Sequence, residues 1–201
     1  MKASGRLKPS GRRHFVASLS ATLALASCAS ADPRLYTIAP VPGPPQPPGP
    51  SVIMLRTIGV AHYLVRRQIV RSSENYRVDV MANDWWGESL DTMLGRVLVQ
   101  ELGERLPHSH VYETTGAVTA TPDASIEVEL QRLDMDANGQ LLLIAQAAVS
   151  GGARTPVARH GFRIVVTPSS TSIASQVAAT STALGQLADG IAAMLTRRTA
   201  T

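Results

Sequence analysis

Apolar residues recur along the chain with two different periods, and these periods predict its secondary structure. Apolar and polar side chains alternate over residues 126–130, which is typical of a strand with one buried face. Over residues 86–106, leucine and valine recur every three or four positions, which predicts a helix that Pro107 ends. A second stripe with helical spacing covers residues 173–195. The chain is therefore expected to combine strands with two long helices.

Turn residues divide the remaining apolar runs into further predicted strands. Asn138-Gly139 is a strong turn signal because both residues tolerate positive φ, and residues 141–149 are the returning strand. Ser73-Glu74-Asn75 predicts a second turn. The other predicted strands are residues 52–58, 68–72, 76–80, 111–113 and 157–166. The fold class that follows is α/β: a single domain with a mixed β-sheet of about five or six strands, packed with two long helices.

A proline-rich segment precedes the first predicted strand. Seven of the 12 residues in 39–50 are proline, which fixes φ and donates no backbone hydrogen bond. This composition excludes a helix or a central strand and predicts an extended polyproline spacer with a reach of roughly 35 Å. We therefore expect residues 28–50 to be a tether and residues 51–201 to be the folded domain.

Cys28 is the only cysteine, and the residues before it are typical of an export signal. Five basic residues and no acid precede the mostly apolar run 15–26, which small residues follow. This run is too short to span a bilayer, which needs about 20 residues. The ending Leu25-Ala26-Ser27-Cys28 resembles a bacterial lipobox. The sequence therefore predicts a lipoprotein signal peptide at residues 1–27 and a lipid-modified Cys28.

Two alternatives remain for this N-terminus. One is ordinary secretion with cleavage after Ala29-Ser30-Ala31, and the other is a coincidental apolar segment in a cytosolic protein. Arg12-Arg13 also resembles a twin-arginine export signal, although an ordinary basic leader is the favoured interpretation.

The basic character of the whole chain resides in the predicted signal. Residues 1–27 contain five of the 19 Lys and Arg and none of the 15 Asp and Glu, which leaves a charge of −1 on the mature chain. A pI near 9.7 would otherwise suggest nucleic acid or anionic lipid as a partner. After cleavage this argument disappears, and we expect no nucleic-acid partner.

The mature chain contains parts of two metal-binding motifs, and neither motif is complete. His108-Ser109-His110 would place two imidazoles on one face, but no third ligand at a zinc spacing follows, which favours a surface loop. Asp134 and Asp136 match the first half of a calcium loop, but Ala145 stands where its closing glutamate belongs, which favours a hairpin turn. The sequence therefore predicts no catalytic residues, no metal and no cofactor.

Trp85 and Trp86 are adjacent and are predicted to open the helix over residues 86–106. One interpretation is a core anchor that fixes this helix to the sheet. The other is an exposed binding surface, because tryptophan is enriched at interaction hot spots. The two interpretations are compatible if one ring points inward and the other outward.

Several short segments lie in a fixed order along the chain. They are the lipobox at Cys28, Leu35-Tyr36-Thr37-Ile38, Tyr63-Leu64, Gln68-Ile69-Val70, Trp86-Gly87-Glu88-Ser89-Leu90, Arg96-Val97-Leu98 and the helix through Ile191-Ala192. Their order and spacing resemble the ABC-type transport auxiliary lipoprotein family, the PqiC-like proteins of Gram-negative envelopes. Arg67 stands where that family usually has proline, and Val65 stands where it usually has aspartate.

The resemblance implies a function and a location. Members are non-enzymatic partners of an ABC transporter and a periplasmic MCE-domain protein, which move lipids or other apolar molecules between the inner and outer membranes. It implies an outer-membrane lipoprotein on the periplasmic face, with a diacylglycerol and an N-acyl chain on Cys28. Ala29 agrees, because aspartate there is the usual signal for retention in the inner membrane.

The resemblance also implies that the domain has a surface that binds a partner protein. It is compatible with a homo-oligomer. The alternative function is a periplasmic lipid-binding carrier that holds an apolar ligand between the sheet and a helix. The residues expected to contact a partner are Tyr63, Leu64, Arg67, Trp85 and Trp86.

Overall fold

A computed structural model of the chain describes residues 32–74, 76–115, 120–151 and 157–197, without the side chain of Ser73. Over these residues the chain forms nine strands and two α-helices. The strands are β1 (Arg34–Tyr36), β2 (Val52–Leu55), β3 (Gly59–Val60), β4 (Gln68–Glu74), β5 (Arg77–Trp86), β6 (His110–Glu113), β7 (Ala124–Met135), β8 (Leu141–Gly151) and β9 (Ala158–Val166). The helices are α1 (Leu90–Arg105) and α2 (Ile173–Arg197), and one 3₁₀ turn covers His62–Leu64. The predicted signal peptide, Cys28 and Asn75 lie outside the described residues.

Strand β7 organises the sheet. β2, β3 and β4 pair with it in parallel at successive positions, and β8 pairs with it in antiparallel along most of its length. β9 adds to β8, β6 pairs with β2, and β5 joins β4 to β1. Parallel and antiparallel pairs therefore coexist, which confirms the predicted mixed sheet and the α/β class. The sheet has more strands than expected, since β1 and β3 are too short to show a period in the sequence.

The core lies between one face of this sheet and the two helices. Alternate residues of β8, from Leu141 to Val149, are buried there, as the period of two requires. α2 packs over β8 and β9, while α1 packs over β6 and beside α2. Gly190 permits the close approach of α2, because a methyl group at this position would overlap the ring of Phe162.

The start of α1 differs from the prediction. Trp85 and Trp86 end strand β5, and α1 begins four residues later, at Leu90. Tryptophan favours strands, and Ser89 is an extended N-cap residue of the type that commonly precedes a helix. Between them, the backbone N–H of Gly87 donates to the carbonyl oxygen of Tyr36 at 2.8 Å, which ties the turn to β1. The predicted helix over residues 86–106 is therefore wrong in its first turn.

The proline-rich segment is also placed differently from the prediction. Residues 37–50, called the strap below, pack against both helices, and the compact unit begins at Pro33 rather than at Ser51. Ile38 is part of the buried core, and the backbone N–H of Ala39 donates to Ser181 Oγ at 3.1 Å. Proline excludes these residues from helices and central strands, but it leaves the other N–H groups free to bond to side chains of the helices. The expectation of a free tether is corrected accordingly.

Candidate functional site

The end of β5 carries the two tryptophans on opposite faces of the sheet. Trp86 is a core residue with 5% of its surface exposed, whereas Trp85 is half-buried on the outer face. The Trp85 indole N–H donates to the carbonyl oxygen of Ala82 at 2.8 Å, which fixes the ring. Because side chains alternate along the strand, Trp86 anchors the core and Trp85 lies at the surface. This agrees with the interpretation that one ring points inward and the other outward.

Two neighbours extend the surface around Trp85. The guanidinium carbon of Arg67 lies 5.7 Å from the centre of the Trp85 ring, within the range of a cation–π interaction. Leu35 is the register partner of Trp85 on β1, so the two side chains share a face, and 61% of Leu35 is exposed. Leu35, Arg67 and Trp85 form an exposed amphipathic surface, called the Trp85 patch below.

Leu64 and Trp86 do not belong to this patch. The 3₁₀ turn at His62–Leu64 directs Leu64 into the core, where only 3% of its surface is exposed. A partner that docks on the folded domain cannot contact a side chain buried to this extent. Leu64 and Trp86 are therefore corrected from surface candidates to core residues.

Tyr63 is half-buried and its hydroxyl has an internal partner. The hydroxyl donates to Asp134 Oδ2 at 2.7 Å, and Asp134 Oδ1 accepts from Nε and Nη2 of Arg132 at 3.0 and 2.9 Å. Burial, followed by the hydrogen bond to Asp134, raises the pKa of Tyr63 above its usual range. Tyr63 and Arg132 together saturate a carboxylate that is almost fully buried. This geometry gives Tyr63 a structural role, which sequence reasoning did not identify.

Replacing Tyr63 with phenylalanine is expected to lower the free energy of unfolding by about 1–3 kcal/mol, since Asp134 Oδ2 loses its donor while it stays buried. Urea denaturation at pH 7 measures this change. Tyr76→Phe is the matched control, because 89% of Tyr76 is exposed and its variant is expected to stay within about 0.5 kcal/mol of the parent. Equal stabilities of the two variants would show that the hydrogen bond from Tyr63 to Asp134 does not stabilise the domain.

The turn that follows Asp134 agrees with the prediction of a hairpin. Asp136 Oδ1 accepts from the backbone N–H groups of Asn138 and Gln140 at 2.9 Å each, and Gly139 has a φ of 75°. Within the described residues, no group of three or more His, Cys, Asp or Glu side chains lies close enough to hold a metal ion.

Arg105 joins the strap to both helices. Only 1% of this residue is exposed, and its Nε donates to Asp189 on α2 at 2.6 Å. Its two terminal nitrogens donate to the carbonyl oxygens of Val41, Glu101 and Gly185 at 3.0–3.2 Å. One guanidinium therefore satisfies a carboxylate and three carbonyl groups from three separate segments.

Glu101 lies one turn before Arg105 and is fully buried. Its Oε1 accepts the backbone N–H of Val41 at 2.8 Å, and its Oε2 has no hydrogen-bond partner among the described residues. Burial raises the pKa of this carboxyl to about 7, although the Val41 N–H and Arg105 oppose the shift. The strap is therefore held at Val41 by both Glu101 and Arg105. A signal for this site was available in the sequence, because Glu101 and Arg105 fall on the apolar stripe of the predicted helix.

A second feature of the surface is an open cleft of about 660 Å³ on the outer face of β7, β8 and β9. Glu127 and Glu129 line it, as expected for the solvated face of β7, and Arg56 forms an ion pair with Glu127 at 3.3 Å. Its walls carry both signs of charge, since Arg159 lies opposite the glutamates.

Comparison of the sequence with models of known protein families identifies the family of this chain. The sequence model of the ABC-type transport auxiliary lipoprotein component family matches residues 36–192. The chain belongs to this family. The match to the auxiliary lipoproteins starts within β1 and includes the strap, in agreement with a domain that begins before Ser51.

Solved structures share the fold of this auxiliary lipoprotein. The crystal structure of an uncharacterized protein is similar with a TM-score of 0.71 at 14% identity, over 82% of this chain and 99% of that one. A Xanthomonas campestris protein of the DUF330 family is similar with a TM-score of 0.64 at 18% identity, over 82% of this chain and 93% of that one. At these identities the likeness concerns the fold alone. None of the curated proteins matches the sequence. Neither described helix has the length and apolar character of a membrane span.

Proposed function

We propose that this chain is an outer-membrane lipoprotein, lipidated on Cys28, that docks the periplasmic MCE-domain component of an ABC-type transport system. Its membership of the auxiliary lipoprotein family over residues 36–192 carries the proposal. The transported molecules are proposed to be lipids or other apolar compounds that move between the two membranes. The role of the chain in this system is to bind partners rather than to catalyse a reaction.

The Trp85 patch supports a docking role. Tryptophan and arginine are the residue types most enriched at interaction hot spots, and here they stack on each other at the surface. Leu35 adds exposed apolar area directly beside them. We propose this patch, rather than Tyr63, Leu64 or Trp86, as the contact with the periplasmic partner.

The packing near α1 favours docking over the carrier function. A carrier would need space between the sheet and the start of α1, but Trp86, Leu90 and Met93 are buried there. The sulfur of Met93 lies 3.0 Å from the backbone nitrogen of Ile38, so the strap also closes this region. The place expected to hold a lipid is filled by side chains of the protein.

Cross-linked capture of the full-length lipoprotein from its own envelope tests the proposal. The expected result is recovery of an MCE-domain protein or its ABC transporter. The double variant Arg67→Ala/Trp85→Ala is expected to bind this partner about 30-fold more weakly, as the loss of a hot spot of about 2 kcal/mol predicts. Arg163→Ala/Val165→Ala is the matched control, since it removes a cation and an exposed apolar side chain from β9.

The other outcomes distinguish the docking role from the assignment of the contact to the Trp85 patch. Recovery of lipid without either protein would favour the carrier. Full binding by a folded Arg67→Ala/Trp85→Ala variant would reject the Trp85 patch but keep the docking role. A Cys28→Ala variant is expected to lose the membrane fraction and to recover less partner, because it has no acyl chains.

A further inference from the structure

The hairpin of β4 and β5 projects beyond the end of the central strand. Arg71 is the only residue of β4 paired with β7, and its partner is Met135, the last residue of β7. β4 continues to Glu74, and β5 returns from Arg77, so the tip of the hairpin extends past the sheet.

The tip and the part of β5 that adjoins it carry exposed apolar side chains. Tyr76 is 89% exposed, and Val78 and Val80 are each 42% exposed. Val78 lies beyond the end of β7, whereas Val80, opposite Val70, lies just before it. The two valines share one face of β5, because side chains two positions apart point the same way. β1 pairs with β5 only from Asp84 onward, so the described residues provide no strand partner along the outer edge before it. Apolar side chains gathered at such a position usually mark an interaction surface.

The direction of β1 shows from which side the chain enters the sheet. β1 is parallel to β5 with Arg34 opposite Asp84, so the chain enters β1 from the end of β5 that leads to Arg77. Cys28 precedes Arg34 by six residues and therefore lies within about 20 Å of it. Arg77 lies seven residues before Asp84, or about 23 Å along β5. A membrane that holds Cys28 is thus within reach of the hairpin tip.

The charges at the tip indicate which lipid surface fits it. Arg77 forms an ion pair with Asp79 at 3.0 Å, and Glu74 adds a further negative charge. Attraction to anionic lipids needs clustered Lys and Arg, which this tip does not present. An exposed tyrosine beside two valines instead suits the headgroup region, where amphipathic rings are enriched.

We propose that the β4–β5 hairpin is a second membrane contact, which inserts Tyr76 and Val78 at its tip, and Val80 on the adjoining edge, into the headgroup region of the phospholipid surface that holds Cys28. The inference rests on the lipidation of Cys28 in the proposed function. Two membrane contacts fix the tilt of the domain, whereas one contact leaves it free.

A fluorophore on the hairpin tests this contact. Lipidation blocks the thiol of Cys28, so Val78→Cys introduces a single reactive thiol while Tyr76 stays in place. The full-length lipoprotein is labelled with an environment-sensitive dye and reconstituted in phosphatidylcholine vesicles that contain a quencher-bearing lipid. Ala120→Cys is the control, because Ala120 is exposed and precedes β7 at the end opposite Met135.

The expected result is a blue shift and several-fold quenching at position 78, with neither at position 120. Both effects should persist when the salt concentration is raised. An unquenched label at position 78, on protein that floats with the vesicles, would overturn the membrane contact and leave lipidation intact. Protein that does not float would overturn both. A blue shift in lipid-free Cys28→Ala protein that grows with protein concentration would assign the tip to self-association instead.

Discussion

Replacing Arg105 with leucine is expected to destabilise the domain by about 2–4 kcal/mol, which is a large part of the stability of a typical domain. The buried guanidinium donates to the carbonyl oxygens of Val41 and Gly185 at 3.1 and 3.0 Å, and to Asp189, whose side chain is 44% exposed, at 2.6 Å. Leucine fills part of the volume but leaves the two carbonyl groups without this donor, while water still reaches Asp189. Glu101 also loses the positive charge that opposes its raised pKa.

Urea denaturation followed by circular dichroism measures the loss. Arg96→Leu is the matched control on the same helix, since Arg96 pairs with Glu88 at 2.6 Å on the exposed surface. An exposed ion pair contributes about 1 kcal/mol or less, so this variant should remain close to the parent. Similar losses in the two variants would show that Arg105 does not organise the contact between the strap and the helices.

Stability is also expected to fall as the pH rises from about 4.5 to about 7, because of Glu101. In the unfolded chain this carboxyl loses its proton near 4.5, whereas burial holds its pKa at about 7 in the folded domain. Between these values the folded state binds more protons, so the contribution of Glu101 is complete at low pH and is lost as the pH rises through 7. The change amounts to roughly 3 kcal/mol across this window.

Glu101→Gln isolates this contribution from other titrating groups. The amide oxygen can still accept the backbone N–H of Val41, but the side chain no longer ionises. The difference in unfolding free energy between parent and variant is therefore expected to change with pH across the window. Glu104→Gln, at an exposed position of α1, should follow the parent instead. A pH-independent difference for Glu101→Gln would mean that the buried carboxyl does not titrate as described.

The periods in the sequence predicted most elements of the fold, and one error shows where such reasoning is ambiguous. Trp86, Leu90 and Leu94 are spaced by four residues, which fits a helical stripe. Trp86 also fits the alternation of β5, and the structure follows the strand up to this residue. Local spacing could not distinguish a helix from a strand at Trp86, because this residue would be buried in both. The contact of Gly87 with Tyr36, about 50 positions away, decides the boundary.

The strap could not be predicted from its own composition. Proline content determines the conformation of residues 39–50 but not what they lie against. The groups that hold them, Glu101 and Arg105, are about 60 positions away and belong to another element. Their place on the apolar stripe of α1 is a signal that buried partners must satisfy them, but it does not identify Val41. Two residues of the Trp85 patch, Arg67 and Trp85, were predicted as surface candidates, but Leu35 was not. Exposure can be predicted from strand alternation only where the strand itself is correctly predicted.

The strap also has a consequence for how the chain folds. The backbone of Ala39 bonds to Ser181, which is 142 positions later, and Val52 bonds to Asp123, 71 positions later. Contacts of such high sequence separation slow folding, since the intervening chain must be ordered first. The strap therefore lacks its contact with α2 until that helix has emerged, although β5 and α1 are available earlier. With the proposed lipid on Cys28, the incomplete domain would lie beside the membrane during this interval, where unpaired strands are most open to aggregation and proteolysis.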